Sequence, residues 1–155
     1  MDSATYHVHP DDVPFARLER PWGTTMMKLL RVSLAENSFT NLIRWEAGVQ
    51  LPTHLHTGPV DAFTFKGCWR YLEYDWEARA GDYVHEPHGT IHTLRADEDT
   101  EIMFVNNGGF VWYGPDGEMA RYQDAASTLA DVVRSLAADG LELPPGVVDV
   151  PQLTS

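Results

Sequence analysis

An all-β domain closed into a small sandwich or barrel, with one amphipathic helix at its C-terminal side, is the fold that three features of the sequence predict. Short apolar, β-branched and aromatic segments follow one another from residue 24 onward, separated by Gly, Pro, Asn and charged residues. Helical periodicity enters only at Asp124. The 155 residues, 43% hydrophobic and 22% charged, suit one globular domain with its own core rather than a disordered chain.

Residues 1–20 read as an N-terminal arm. They carry a His7-x-His9 pair before Pro10, with no third partner nearby in sequence, so a ligand role for that pair is not expected. Residues 21–123 read as the barrel. KLLRVSL and FTNLIRW open it, DAFTFKG, WRYLEYDW and DYVHEP follow, and EIMFVNN and GFVWYG flank a Gly108-Gly109 turn. Gly114 to Glu118 (GPDGE) is a hairpin turn by composition. So many short strands in this length predict closure, which protects sheet edges. Residues 124–140 read as the helix: Leu129, Val132, Val133 and Leu136 share a stripe, Asp124 is a fitting N-cap and Gly140 a fitting stop. The Pro-rich residues 141–155 read as an extended tail, lying on the surface or reaching to a partner chain.

Composition narrows the function classes. A formal net charge of -12 would repel phosphate backbones and anionic lipid, so no nucleic-acid or membrane partner is expected. No apolar run approaches a membrane span, and the polar start MDSATYHVHPDD is no signal peptide. The lone Cys68 cannot form an internal disulfide and reads as a small buried hydrophobe in a cytoplasmic protein. A homodimer or higher homo-oligomer is expected, closed two-fold pairs being the commonest assembly.

The chemistry concentrates between Gly48 and His92. His54 and His56 are two apart, so on a strand both imidazoles leave the same face. His92 arrives after Gly81, Pro87 and Gly89, residues that mark turns or strand edges. Any one of the seven histidines alone would more often be structural; together His54, His56 and His92 can cap one side of a metal ion. His85 falls on the strand face opposite Glu86, and His88 in the turn.

Gly48, five residues, His54-x-His56, then Gly67 is similar to the first cupin motif. Gly81, five residues, Pro87-x-Gly89, two residues, His92 matches the second. That resemblance implies a single-domain cupin, a small jelly-roll β-barrel with a metal in its mouth. Cupin sites commonly carry a glutamate three or four residues after the second histidine, where this chain has Val60 and Asp61. A three-histidine centre is therefore expected, with Asp61 outside the ligand set.

HTGPV, WRYLEYDW, EP-x-G-x-x-H-T-L and YGPDGE together resemble the 2,4'-dihydroxyacetophenone dioxygenase family, over more than half of the chain. H-x-H-x-G-P also resembles acetylacetone-cleaving dioxygenases. Both likenesses imply non-haem Fe(II) on three histidines and O2-dependent cleavage of a carbon–carbon bond in a small carbonyl substrate, an aromatic α-hydroxyketone or a β-dicarbonyl compound. Zn, Ni or another divalent ion would suit the same imidazoles. The diketone family's outer-shell glutamate maps onto Glu86, which is expected to orient a histidine N–H or to accept a substrate proton. If Asp61 faces inward, Phe63 and Phe65 face the pocket with it; Tyr74, and Arg44 and Arg70 as anion partners, complete the expected lining. Two other functions compete: a redox-neutral isomerase, lyase or cyclase acting through an enolate, and a non-catalytic small-molecule-binding cupin. Regulatory relatives of the latter kind usually carry an extra domain, for which 155 residues leave little room.

Overall fold

Alternating burial along the chain delimits the strands in the computed structural model, which describes residues 5–149. The first four residues of the expected arm and the last six of the expected tail lie outside the described residues. In order, the strands are β1 (Ala16–Arg20), β2 (Gly23–Ser33), β3 (Ser38–Trp45), β4 (His54–His56), β5 (Val60–Lys66), β6 (Cys68–Tyr71) and β7 (Ala78–Arg79). They continue as β8 (Tyr83–Glu86), β9 (Ile91–His92), β10 (Leu94–Ala96), β11 (Thr100–Asn107), β12 (Phe110–Tyr113), β13 (Met119–Gln123) and, after a helix, β14 (Val148–Asp149).

The largest sheet runs β1-β2-β3-β11-β5-β8, with β14 also on β2; opposite it lie β13-β12-β4-β9 and β10-β6-β7. The layers share one core. Phe39 of β3 meets Phe110 of β12 edge-on at 6.1 Å, and Trp69 of β6 meets Phe104 of β11 at 6.1 Å. Trp69 is fully buried and donates its indole N–H to Thr64 Oγ1 at 2.8 Å, so its polar atom is satisfied in the core. The GPDGE turn closes the β12–β13 hairpin, Gly114 N donating to Glu118 O. At Gly58, between β4 and β5, an added Cβ would collide with the Asn107 carbonyl, so the close approach of these turns requires glycine.

Two boundaries differ from the sequence reading. β1 lies within the residues assigned to an arm, and Ala16 and Leu18 are buried. The stretch before it is tied down as well. Val13 is buried, Lys28 Nζ donates to Pro10 O at 2.7 Å, and His9 Nδ1 accepts from Asp11 N. The described part of the tail adds to its own sheet: Val147 is fully buried, its carbonyl accepts from Val32 N at 2.8 Å, and β14 pairs in parallel with β2.

Helix α1 (Ala125–Ala138) begins at Asp124, whose carboxylate accepts from Ser127 N while Ser127 Oγ accepts from Asp124 N, a reciprocal cap. Gly140, at φ 70°, ends it. Ala125, Thr128, Val132 and Leu136 are buried against the barrel, each large apolar side chain contributing about 1.5–3 kcal/mol. Val133, expected on that stripe, is 48% exposed, because one position along a helix turns the side chain out of a narrow contact face. No described helix is long and apolar enough to cross a membrane.

Asp131 ties α1 to the barrel. Its carboxylate accepts from Arg20 of β1 at 2.8 Å and Arg121 of β13 at 2.7 Å. Burial pushes this carboxyl up, but those hydrogen bonds and charges outweigh it and hold it below the usual carboxylate range. Its stabilisation is therefore full above the unfolded pKa of about 4 and is lost as the pH falls through the lowered folded value. Asp131→Asn is expected to cost about 1–3 kcal/mol at pH 7 in urea unfolding, with the difference from wild type shrinking toward pH 3. A pH-independent difference would show that the charge does not matter.

Candidate metal centre

The two predicted motifs converge because β4 pairs with β9. His54 stands directly opposite His92 in that ladder, and parity brings His56 to the same face as His54. On the other flank β12 sets Trp112 opposite His54 and Phe110 opposite His56. The imidazole centroids lie 4.8 Å (His54–His56), 5.1 Å (His54–His92) and 4.7 Å (His56–His92) apart. One ring nitrogen from each lies within 4.8 Å of the others, and all three residues are buried.

Each ring is held by its neighbours. His54 Nδ1 lies 3.0 Å from the Pro52 carbonyl, which fixes its proton there and leaves Nε2 with a free lone pair. His92 stacks on Tyr71 at 3.6 Å and 12°, and His56 meets the edge of Phe110 at 4.8 Å. Burial, together with mutual repulsion at His56 and His92, lowers the imidazoles to about 4 for His54, 2 for His56 and 3 for His92. They are neutral at physiological pH, the form that binds metals. Both ring nitrogens of His56 and of His92 are buried without a hydrogen-bond partner among the described residues. Such orphaned atoms, expensive in a finished core, are what a ligand set for a cation presents.

Glu86 belongs to the same cluster. It ends β8 facing inward, with Oε2 at 3.6 Å from His56 Nε2 and Oε1 at 3.9 Å from His92 Nε2. Burial, followed by the charge of Asp61, raises this carboxyl to about 8. Both its oxygens also lack partners among the described residues. Asp61 lies outside the cluster: it takes hydrogen bonds from Tyr83 and His85 on the outer side of β5.

The expected pocket lining is corrected on five residues. On β5 the inward positions are Val60, Ala62 and Thr64, so Phe63 and Phe65 project outward, Phe63 against Tyr83. Arg44 lies on the outer face of β3, paired with Glu101 at 2.6 Å and over the Phe15 ring. Arg70 alternates outward from buried Trp69 and Tyr71 and pairs with Asp97 at 2.9 Å. Tyr74, in the turn after β6, stacks outside on Trp76. The cavity beside His54 and His56, about 70 Å³, is lined instead by Trp22, Tyr71, Phe104, Phe110 and Trp112, with Arg20 at its edge. Phe110 and Trp112 were readable as one parity set of the GFVWYG strand; the pairing of that strand with the histidine strand was not.

Comparison with known proteins agrees with this geometry. The family described as "ChrR Cupin-like domain" matches residues 3–111. A cupin-like protein from Ralstonia eutropha JMP134 superposes with a TM-score of 0.88 at 26% identity, over 100% of this chain and 99% of that one. An acetylacetone dioxygenase from Acinetobacter johnsonii superposes with a TM-score of 0.76 at 17% identity, over 87% and 94% of the two chains, a likeness of fold. The DNA damage-repair/toleration protein DRT102 of Arabidopsis thaliana is 31% identical over 86 residues, 53% of this chain and 26% of that protein. The match thus spans about a quarter of the plant protein's length.

Proposed function

The chain belongs to the ChrR cupin-like family, and from that premise we propose that it is a non-haem iron dioxygenase cleaving a carbon–carbon bond in a small α-hydroxyketone or β-dicarbonyl compound. The observation that carries this reading is the cluster of three buried, neutral imidazoles with the Glu86 carboxyl among them, two of which, His54 and His56, line an aromatic cavity. His54, His56 and His92 would hold the ion. When bound, divalent iron supplies Lewis acidity toward a chelating enolate and redox reactivity toward O2, while Zn or Ni would fit the same nitrogens without the latter. In the balanced reaction both oxygen atoms enter products: two acids from a hydroxyketone, or an acid and a ketoaldehyde from a diketone.

The remaining work falls to the chain's own groups. Glu86 Oε1 or Oε2 accepts the acidic proton of the substrate carbon, its oxygens standing 3.6 Å and 3.9 Å from the His56 and His92 Nε2 atoms that would hold the ion. Pro52 and Tyr71 hold the His54 and His92 rings in place. Trp112, Phe110 and Phe104 keep water from the reacting end. Glu86 would serve a redox-neutral enolate isomerase, lyase or cyclase equally well, and O2 consumption divides the two readings.

The test is O2 uptake by protein reconstituted anaerobically with Fe(II) and given 2,4'-dihydroxyacetophenone, then acetylacetone. Uptake matched to product acid, and absent with Zn(II), is expected. Loaded protein that consumes no O2 but transforms either compound would transfer the assignment to the redox-neutral class, and tight binding without turnover to a binding module. Glu86→Gln is expected to keep the metal and to lower turnover about 100-fold; unchanged kinetics would remove Glu86 from the proton path.

A further inference from the structure

Several polar groups around the cavity are satisfied within the protein, while the His56 ring nitrogens and the Trp22 indole N–H are buried without a partner among the described residues. Trp45 donates to Thr25 at 2.8 Å, Trp112 to Gln123 at 3.2 Å, and Gln123 in turn to Thr128 at 2.9 Å. Asn106 spends its amide on Phe39 O, Asn41 Oδ1 and Phe104 O. Among the described residues, Arg20 is the permanently charged side chain lining the space. It occupies the last inward position of β1, after Ala16 and Leu18.

A guanidinium has five N–H donors. Among the described residues Arg20 makes one hydrogen bond with them, from Nη2 to Asp131. That carboxylate is shared three ways, with Arg121 at 2.7 Å and Arg134 at 3.3 Å as well as Arg20 at 2.8 Å. None of the three has another carboxylate partner among the described residues. One negative charge thus faces three positive ones, in a protein whose formal net charge is -12. Arg121 lines an adjoining surface groove, and Trp22, Leu51 and Trp112 line both groove and cavity. The positive corner therefore sits where the two spaces meet.

We propose that Arg20 is the specificity-determining residue of this cavity, receiving the carboxylate of a compact keto-acid substrate whose carbonyl end faces the three histidines. A planar guanidinium with free donors matches a carboxylate in a two-point contact. The surplus positive charge at the groove draws anions toward an otherwise acidic protein. The cavity, about 70 Å³, has room for about six waters, which limits the ligand to roughly ten non-hydrogen atoms. This inference rests on the proposed reading of the cavity beside the histidines as a substrate pocket.

The experiment compares 2,4-dioxopentanoate with pentane-2,4-dione, a five-carbon dicarbonyl with and without a carboxylate, by calorimetric titration. Zinc-loaded and metal-free protein are both titrated, so that binding is read without turnover. The preference for the carboxylate compound is expected to fall about tenfold in Arg20→Gln, in both forms of the protein. Attraction of the carboxylate to zinc is common to wild type and variant and cancels in that comparison. Arg121→Gln loses the same Asp131 contact but lies outside the cavity, and is expected to keep most of the preference. Wild-type protein that binds neither compound, an Arg20→Gln preference equal to wild type, or an equal loss in both variants would overturn the proposal. Protein that takes up no zinc, yet loses its preference with Arg20→Gln, would overturn the metal reading and uphold this one.

Discussion

His92→Ala is expected to leave a folded protein holding about a tenth of an equivalent of metal or less under conditions that saturate wild type. The triad shares one site, and with two imidazoles left the chelate is incomplete. A second readout is thermal. A ligand at about a thousand times its Kd stabilises the native state by about 4 kcal/mol, which at this chain length raises the melting temperature by roughly 8–16 °C. Wild type should show that rise with Zn(II), and the variant should show almost none. Retention of a full equivalent by the variant would place the metal elsewhere.

Trp69→Ala should produce the largest loss of stability, about 3–5 kcal/mol by denaturant unfolding. The indole is fully buried, packs edge-on against Tyr71 at 5.3 Å and Trp76 at 6.0 Å, and its removal also leaves Thr64 Oγ1 without its donor. Tyr71 is the plate on which His92 lies, so metal affinity should weaken together with stability. Trp69→Phe, which keeps most of the volume while giving up the N–H and part of the fused ring, should cost less than half as much. A loss under about 1 kcal/mol for the alanine variant would mean that the core closes over the void.

The histidine triad was legible because its information is local. The two-residue step from His54 to His56 and the Gly-Pro-Gly spacing before His92 report strand parity and turn position directly. Glu86 came instead from the resemblance to the diketone-cleaving family, and its buried position next to exposed His85 follows strand parity. The pocket was not legible, because its residues come from strands whose pairing has no local signature. Facing Asp61 inward carried Phe63 and Phe65 with it, whereas Gly58-Pro59 breaks the chain between β4 and β5 and resets which residues face in. Arg20 was hidden differently. ARLER alternates apolar and charged residues as an edge strand does, but two small apolar contributions among three charges resemble a solvated arm.

β2 is covered on one side in two pieces: β1 pairs along Gly23–Met27, and β14 pairs at Val32 and Ser33. Without the second piece the far half of an 11-residue strand would show unpaired N–H and C=O groups to other molecules, beside the apolar Val32. The Val147–Asp149 segment is thus a guard against edge-to-edge aggregation, and Asp149, paired with Arg31 at 3.2 Å, sets a charge at the rim it leaves. Loss of that segment would be felt first in crowded, concentrated solution, with the chemistry of the histidine cluster still intact.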